Sequence, residues 1–212
     1  MIKPFADFVS APLRLALVAL FAVVAWAALS GLARAPEPDP APRRWQLDLE
    51  VSGLRMHSVE VDGQPRAFYY LTYKVTNNAG KDLLFAPSFE MVANKGEPVR
   101  SGRNVPAEVT KTLLSRMQNP LLADQISIIG PLQQGAEHAR EGLVVWNADT
   151  LKPESLTVYA AGFSGETAPV KGNDGKTVLL RKTRMIRYEI IGELSNLRDK
   201  PLAPAELRWI MR

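Results

Sequence analysis

The spacing of apolar and polar residues changes character along the chain. From Leu15 to Ala33 the sequence reads LALVALFAVVAWAALSGLA, nineteen uncharged residues bounded by Arg14 and Arg34. As a helix rising about 1.5 Å per residue, this run spans roughly 28 Å, close to the ~30 Å hydrocarbon thickness of a bilayer. A helix at the surface of a soluble core would keep a polar stripe, and this run has none. Leu15 to Ala33 therefore reads as a single transmembrane helix.

Beyond residue 44 the period falls to two. Trp45, Leu47, Leu49 and Val51 alternate with Gln46, Asp48 and Glu50, the mark of a half-buried strand. Met56 to Val61 is a second strand, stopped by Asp62-Gly63. Residues 66–76 (RAFYYLTYKVT) are the strongest strand signal, rich in aromatic and β-branched side chains, with Tyr69, Leu71, Tyr73 and Val75 on one face and Phe68, Tyr70, Thr72 and Lys74 on the other. Asn77-Asn78-Ala79-Gly80 supplies turn residues, and Leu83 to Ala93 is expected as the partner strand, interrupted at Pro87. Gly142 to Trp146, Ser155 to Gly162, Thr177 to Ile191 and Leu207 to Met211 are strand-like as well.

One stretch keeps the helical period. Pro106 to Met117 places Val109, Leu113, Leu114 and Met117 on one face, with Pro106 suited to a first turn and Asn119-Pro120 to a stop. The expected fold is therefore mainly β: an immunoglobulin-like β-sandwich with one inserted short helix, preceded by a single amino-terminal transmembrane helix. The predicted organisation is a cytoplasmic tail over 1–14, the membrane helix over 15–33, a proline-rich linker over 34–44 and an extracytoplasmic sandwich over 45–212.

The linker contains APEPDPAP at 35–42, a polyproline II spacer of about 25 Å. A small-x-small cleavage pattern, Ala33-Arg34-Ala35, makes a cleavable signal peptide the rival of an uncleaved signal-anchor. Pro36 would follow the cut and obstruct it, and nineteen apolar residues exceed a signal-peptide core, so the anchor is favoured. Lys3 and Arg14 before the helix nearly balance Arg34, Arg43 and Arg44 after it, so charge alone does not orient it. An exported β domain favours a cytoplasmic amino terminus and a periplasmic carboxyl-terminal domain at a bacterial inner membrane.

Charge narrows the partners. The chain carries +4, of which residues 1–44 hold +2 (five Lys and Arg against three Asp and Glu), so the remainder also carries +2. A domain so nearly neutral has no field to gather nucleic acid. There is no cysteine, which excludes disulfides, thiolate chemistry and cysteine-held zinc.

The run YYLTYKVTNNAGKDLLFAPSFEMVANKG, followed by GAEHAREGLVVW and LTVYAAGFSGE, resembles the immunoglobulin-like export-side domains of uncharacterised planctomycete-type membrane proteins. The resemblance covers most of residues 45 to 191 and lies in turn and strand features. It implies a fold and a location and supplies no catalytic residues.

His57 and His138 lie far apart, each without a second ligand at metal spacing. Ser164 sits in GFSGE, where the nucleophile elbow would need glycine in place of Glu166. Gly172-Asn173-Asp174-Gly175-Lys176 lacks phosphate-loop and EF-hand spacing and reads as a hairpin turn. Arg181, Lys182, Arg184 and Arg187 form the densest positive run. On a strand they divide between faces, Arg181 and Arg187 against Lys182 and Arg184, either pairing with acidic neighbours or meeting anionic headgroups. Trp45, Trp146 and Trp209 are expected in the core, with a sugar-stacking platform as the alternative. An enzyme would need Asp48, Glu50, Glu90, Glu97, Glu166, His57 or His138 to converge in a cleft.

No catalytic, cofactor-binding or metal residue is assigned. The leading expectation is a membrane-tethered interaction or structural module of the envelope, held by Leu15 to Ala33 and meeting an envelope protein partner. A periplasmic domain binding a carbohydrate or small molecule is the alternative, and an enzyme with a hidden site is the third.

Overall fold

The alternating segments pair into two larger sheets. In this computed structural model, residues 36–38, 44–94, 96–148, 153–172, 174–190 and 200–212 are described. The expected membrane helix at 15–33, the tail at 1–14 and most of the linker lie outside them. No helix among the described residues is long and apolar enough to cross a membrane.

The first sheet is built on β3 (Gln64–Asn77), which runs antiparallel to β9 (Gly135–Asn147) on one side. On its other side β1 (Asp48–Val51) and β2 (Arg55–Val61) lie in tandem. Asp62 and Gly63, at φ 53° and 73°, close the β2–β3 hairpin. Positive φ at both positions suits the right-handed twist of the flanking strands and favours this dipeptide. The short β7 (Leu122–Ala123) adds in parallel to β9.

The second sheet runs β11 (Thr167–Lys171), β12 (Thr177–Glu189), β10 (Ser155–Ala161), β5 (Ser88–Ala93), β6 (Val99–Arg100), with β13 (Glu206–Met211) on the edge of β12 opposite β10 and β11. A two-stranded ribbon joins β4 (Leu83–Phe85) to β8 (Gly130–Leu132). Leu83 to Ala93 therefore does not form a partner for β3. The chain breaks at Ala86-Pro87, β4 enters the ribbon and β5 the other sheet. Proline cannot donate to a ladder, and here it marks the point where the chain changes sheets.

Alternation along each strand then sets the layers. Tyr69, Leu71, Tyr73 and Val75 of β3 and Val144 and Trp146 of β9 meet Phe89 and Met91 of β5, Leu156 and Val158 of β10, and Ile186 and Tyr188 of β12 in one core. Phe163 is its aromatic hub, edge-on to Phe85, Phe89 and Tyr73 at centroid distances of 5.3, 5.7 and 5.8 Å. Tyr73 lies over Gly142, where a Cβ would collide with its ring.

The opposite face of the first sheet is closed by α1 (Ala107–Met117). Val109 and Leu113 bury against Phe68, Tyr70, Leu143 and Val145, with Leu114 and Met117 packed alongside. The helix starts one residue later than the sequence suggested, because Pro106 takes the extended cap position at φ −60° and ψ 142°. It stops at Gln118, whose left-handed backbone ends the turn before Pro120 can clash.

Candidate functional site

The second sheet turns its outer face to solvent, and the two-residue strand period gathers polar side chains there. Glu90 of β5 lies opposite Tyr159 of β10, and Ser88 opposite Ala161. Arg181 and Thr183 of β12 continue the same face. Beyond β13, Arg212 is pinned to Arg181 by a reciprocal backbone pair, Arg181 N donating at 2.7 Å and Arg212 N at 3.1 Å. Together these residues line a concavity of about 330 Å³.

Arg212 organises that hollow. Its guanidinium donates to Glu90 Oε2 at 2.6 Å and sits 4.2 Å from the centroid of the Tyr159 ring. The Arg212 and Glu90 side chains are 38% and 35% exposed, so water screens the pair and its contribution stays below about 1 kcal/mol. The Thr183 hydroxyl donates to the Arg181 carbonyl at 3.0 Å. The floor thus presents two guanidinium groups, one carboxylate and one phenol, a set suited to polar recognition.

A second charged cluster faces inward. Lys182 Nζ donates to Glu166 Oε2 at 2.9 Å, with the two side chains 2% and 12% exposed. Lys182 N also donates to the Glu166 carbonyl, clipping the start of β11 onto β12. Trp209 receives both neighbouring cations against its ring, Lys182 Nζ at 5.7 Å and Arg184 Cζ at 5.3 Å from the centroid. Burial lowers the Arg184 guanidinium below its ordinary pKa. Deeper in the core, burial pushes the Tyr69 phenol up to about 12, and those of Tyr73 and Tyr188 up as well. None of the three ionises near neutral pH.

The basic run divides by parity as its sequence implied. Lys182 is buried and Arg184 half-buried on the inward side, while Arg181 and Arg187 stand exposed outward. Arg187 approaches Glu189 at 3.8 Å. Trp146 is fully buried and donates its indole N–H to the Val99 carbonyl at 3.1 Å. Trp45 and Trp209 are half-buried against the same core, and Trp45 rests on Gly165. Three co-facing tryptophans are therefore not presented.

The remaining candidates are dispersed. His57 lies in β2 opposite Phe68, on the helix-covered face of the first sheet, whereas His138 is exposed in β9 beside Glu137 at 3.8 Å. Among the described residues no three His, Cys, Asp or Glu side chains are grouped to hold a metal ion. The Ser164 hydroxyl accepts from Glu166 N at 3.2 Å and donates to the Trp45 carbonyl at 3.4 Å, which makes it a turn-former. Gly172 N donates to the Lys176 carbonyl at 2.8 Å, closing the β11–β12 hairpin, with Gly175 at φ 76°. Asp48 accepts from Asn78 Nδ2 at 2.6 Å, Glu90 belongs to the concavity, and Glu166 lies in the interior pair.

Ser88, Tyr159, Thr183 and Arg212 carried no motif in the sequence. The pairings of β5 with β10, of β10 with β12 and of β12 with β13 bring them together with Glu90 and Arg181. Compared with known protein families, with curated proteins and with solved structures, the chain matches none.

Proposed function

We propose that this chain is a non-catalytic envelope module: an immunoglobulin-like sandwich tethered to a bacterial inner membrane by Leu15 to Ala33, with its domain on the periplasmic side. The sandwich assignment is supported by two largely antiparallel sheets over one core with a buried tryptophan, Trp146. On this reading the outer face of the second sheet recognises another envelope protein. The observation that carries it is the open concavity at Glu90, Tyr159, Arg181 and Arg212, on a face that no element covers among the described residues. Arginine and tyrosine are the side chains that most often anchor protein interfaces.

Photo-crosslinking in intact cells tests this reading. A benzoylphenylalanine at Ser88 or Thr157 is expected to give a discrete adduct, and one at Lys111 on the exposed side of α1 none. Adducts from Lys111 alone, or from no position, would retire the proposal.

A small anionic or carbohydrate ligand is the second reading, favoured by a hollow near the lower end of ligand-site volumes. Its aromatic platform is limited to Tyr159, which Arg212 already covers. Shielding of the Tyr159 ring on adding envelope glycan fragments, without any protein adduct, would favour this alternative.

A further inference from the structure

We infer that the end of the domain where the linker joins is a lipid-facing surface, which the bilayer covers through exposed leucine, isoleucine and valine side chains. The inference rests on the reading of Leu15 to Ala33 as a membrane anchor and adds to it a second contact made by the folded domain. Leu84, Ile126, Ile129, Val178 and Leu179 are all between 48% and 75% exposed. Side chains of this size scattered singly need no explanation, but a group at one end of a domain marks a contact surface.

Their common location follows from registers and hydrogen bonds. The domain begins beside Phe163, where Leu47 N donates to the Phe163 carbonyl at 2.8 Å, and beside Asn78, which holds Asp48. Phe163 packs on Phe85, the neighbour of Leu84 in β4. Asn77 Nδ2 donates to the Leu132 and Lys81 carbonyls at 2.9 Å, tying the ribbon to the same end. Leu84 pairs with Pro131, and Ile129 N donates to the Ile126 carbonyl at 3.1 Å one turn earlier. Asp124 fixes that turn, accepting from Ile126 N at 2.7 Å and Ser127 N at 2.9 Å.

The β11–β12 hairpin reaches the same end. β10 leaves β12 at Ala160 opposite Arg184, so residues 177–182 run on past it toward the hairpin tip. Val178 and Leu179 point to opposite faces there, and both are exposed. Lys171 and Lys176 stand at the tip, where long cationic side chains can reach headgroups above buried apolar neighbours.

Chain length selects lipid as the occupant. Ten residues, Arg34 to Arg43, separate the apolar run from the first residues of the domain. Fully extended they reach at most about 36 Å, less than the ~40 Å width expected for a domain of this size. On the anchor reading a tether this short leaves Trp45 and the residues beside it within reach of the lipid surface, whereas the Asp62-Gly63 turn lies at the opposite end of β3.

The chain has no cysteine, so single cysteines can carry an environment-sensitive fluorophore without background. The full chain is reconstituted in phosphatidylethanolamine–phosphatidylglycerol vesicles with and without brominated acyl chains. Labels are placed by Leu84→Cys, Ile126→Cys and Val178→Cys, with Ala22→Cys in the apolar run and Glu60→Cys at the far end. The expected result is loss of emission in brominated vesicles at Ala22, Leu84, Ile126 and Val178, and none at Glu60. Quenching at Ala22 with the three domain labels no more quenched than Glu60 overturns the inference and leaves the anchor standing. So does shielding of those labels without lipid quenching, as a second copy or a protein partner would give. No quenching at Ala22 removes the anchor and the inference together.

Discussion

On its outer side the first sheet carries Phe68, Tyr70, Leu143 and Val145 beneath a helix, while the second carries Glu90, Tyr159, Arg187 and Arg208 in the open. Both sheets share one core, yet β3 is buried on two faces and β12 largely on one. The first sheet is thereby a fixed frame whose side chains are consumed by packing. The second can vary its outward residues at small cost to stability, and recognition chemistry tends to settle on such a face.

The comparison can be broken most forcefully on the closed side. Phe68→Ala is expected to cost about 3–5 kcal/mol, because the helix cannot collapse fully into the cavity. Urea denaturation reads the change, and a loss below about 1 kcal/mol would mean that α1 does not seal the sheet. Next, Lys182→Met removes the cation paired with Glu166 in the interior and should cost about 3 kcal/mol, most of it recovered by adding Glu166→Leu. A single variant as mild as the double would show that the pair is hydrated.

On the open face the same logic predicts little. Glu90→Gln should lower stability by less than about 1 kcal/mol, with the difference fading in high salt. Melting at two ionic strengths checks this, and a core-sized loss would make the hollow a structural keystone.

The smallest effect is expected at Asp124, in the segment between α1 and β8. Partial burial raises its pKa, but hydrogen bonds from Ser127 and Ile126 outweigh this and hold it below the usual carboxylate value. A lowered folded value means that the stabilisation is complete above the unfolded pKa and is lost as pH falls through the folded one. Amide exchange at Ile126 and Ser127 should accelerate in that acid range, and unchanged exchange there would show that the turn does not depend on the carboxylate.

Much of this frame was legible in the sequence because alternation reports faces directly. The inward set Tyr69, Leu71, Tyr73 and Val75, the divided basic run and the buried stripe of α1 all follow from period alone. Partners are another matter. Leu83 to Ala93 looked like the return strand of a hairpin, but the energy of Phe89 and Met91 lies in the other sheet, and nothing local to Pro87 says so. β11 (TAPVK) is short and proline-bearing, so its strand signal is weak. The concavity joins Glu90 to Arg212, 122 positions apart, through strand order that no local pattern records.

The long reach of the β3–β9 pairing also bears on how the polypeptide is made. The β2–β3 hairpin can form as soon as it emerges, but Phe68 must await Asn147, 79 positions later in the register (147 − 68). At about 5–20 residues per second that interval lasts roughly 4–16 s. Throughout it Phe68, Tyr69, Tyr70 and Leu71 present an unpaired, aromatic-rich strand edge open to pairing with another chain.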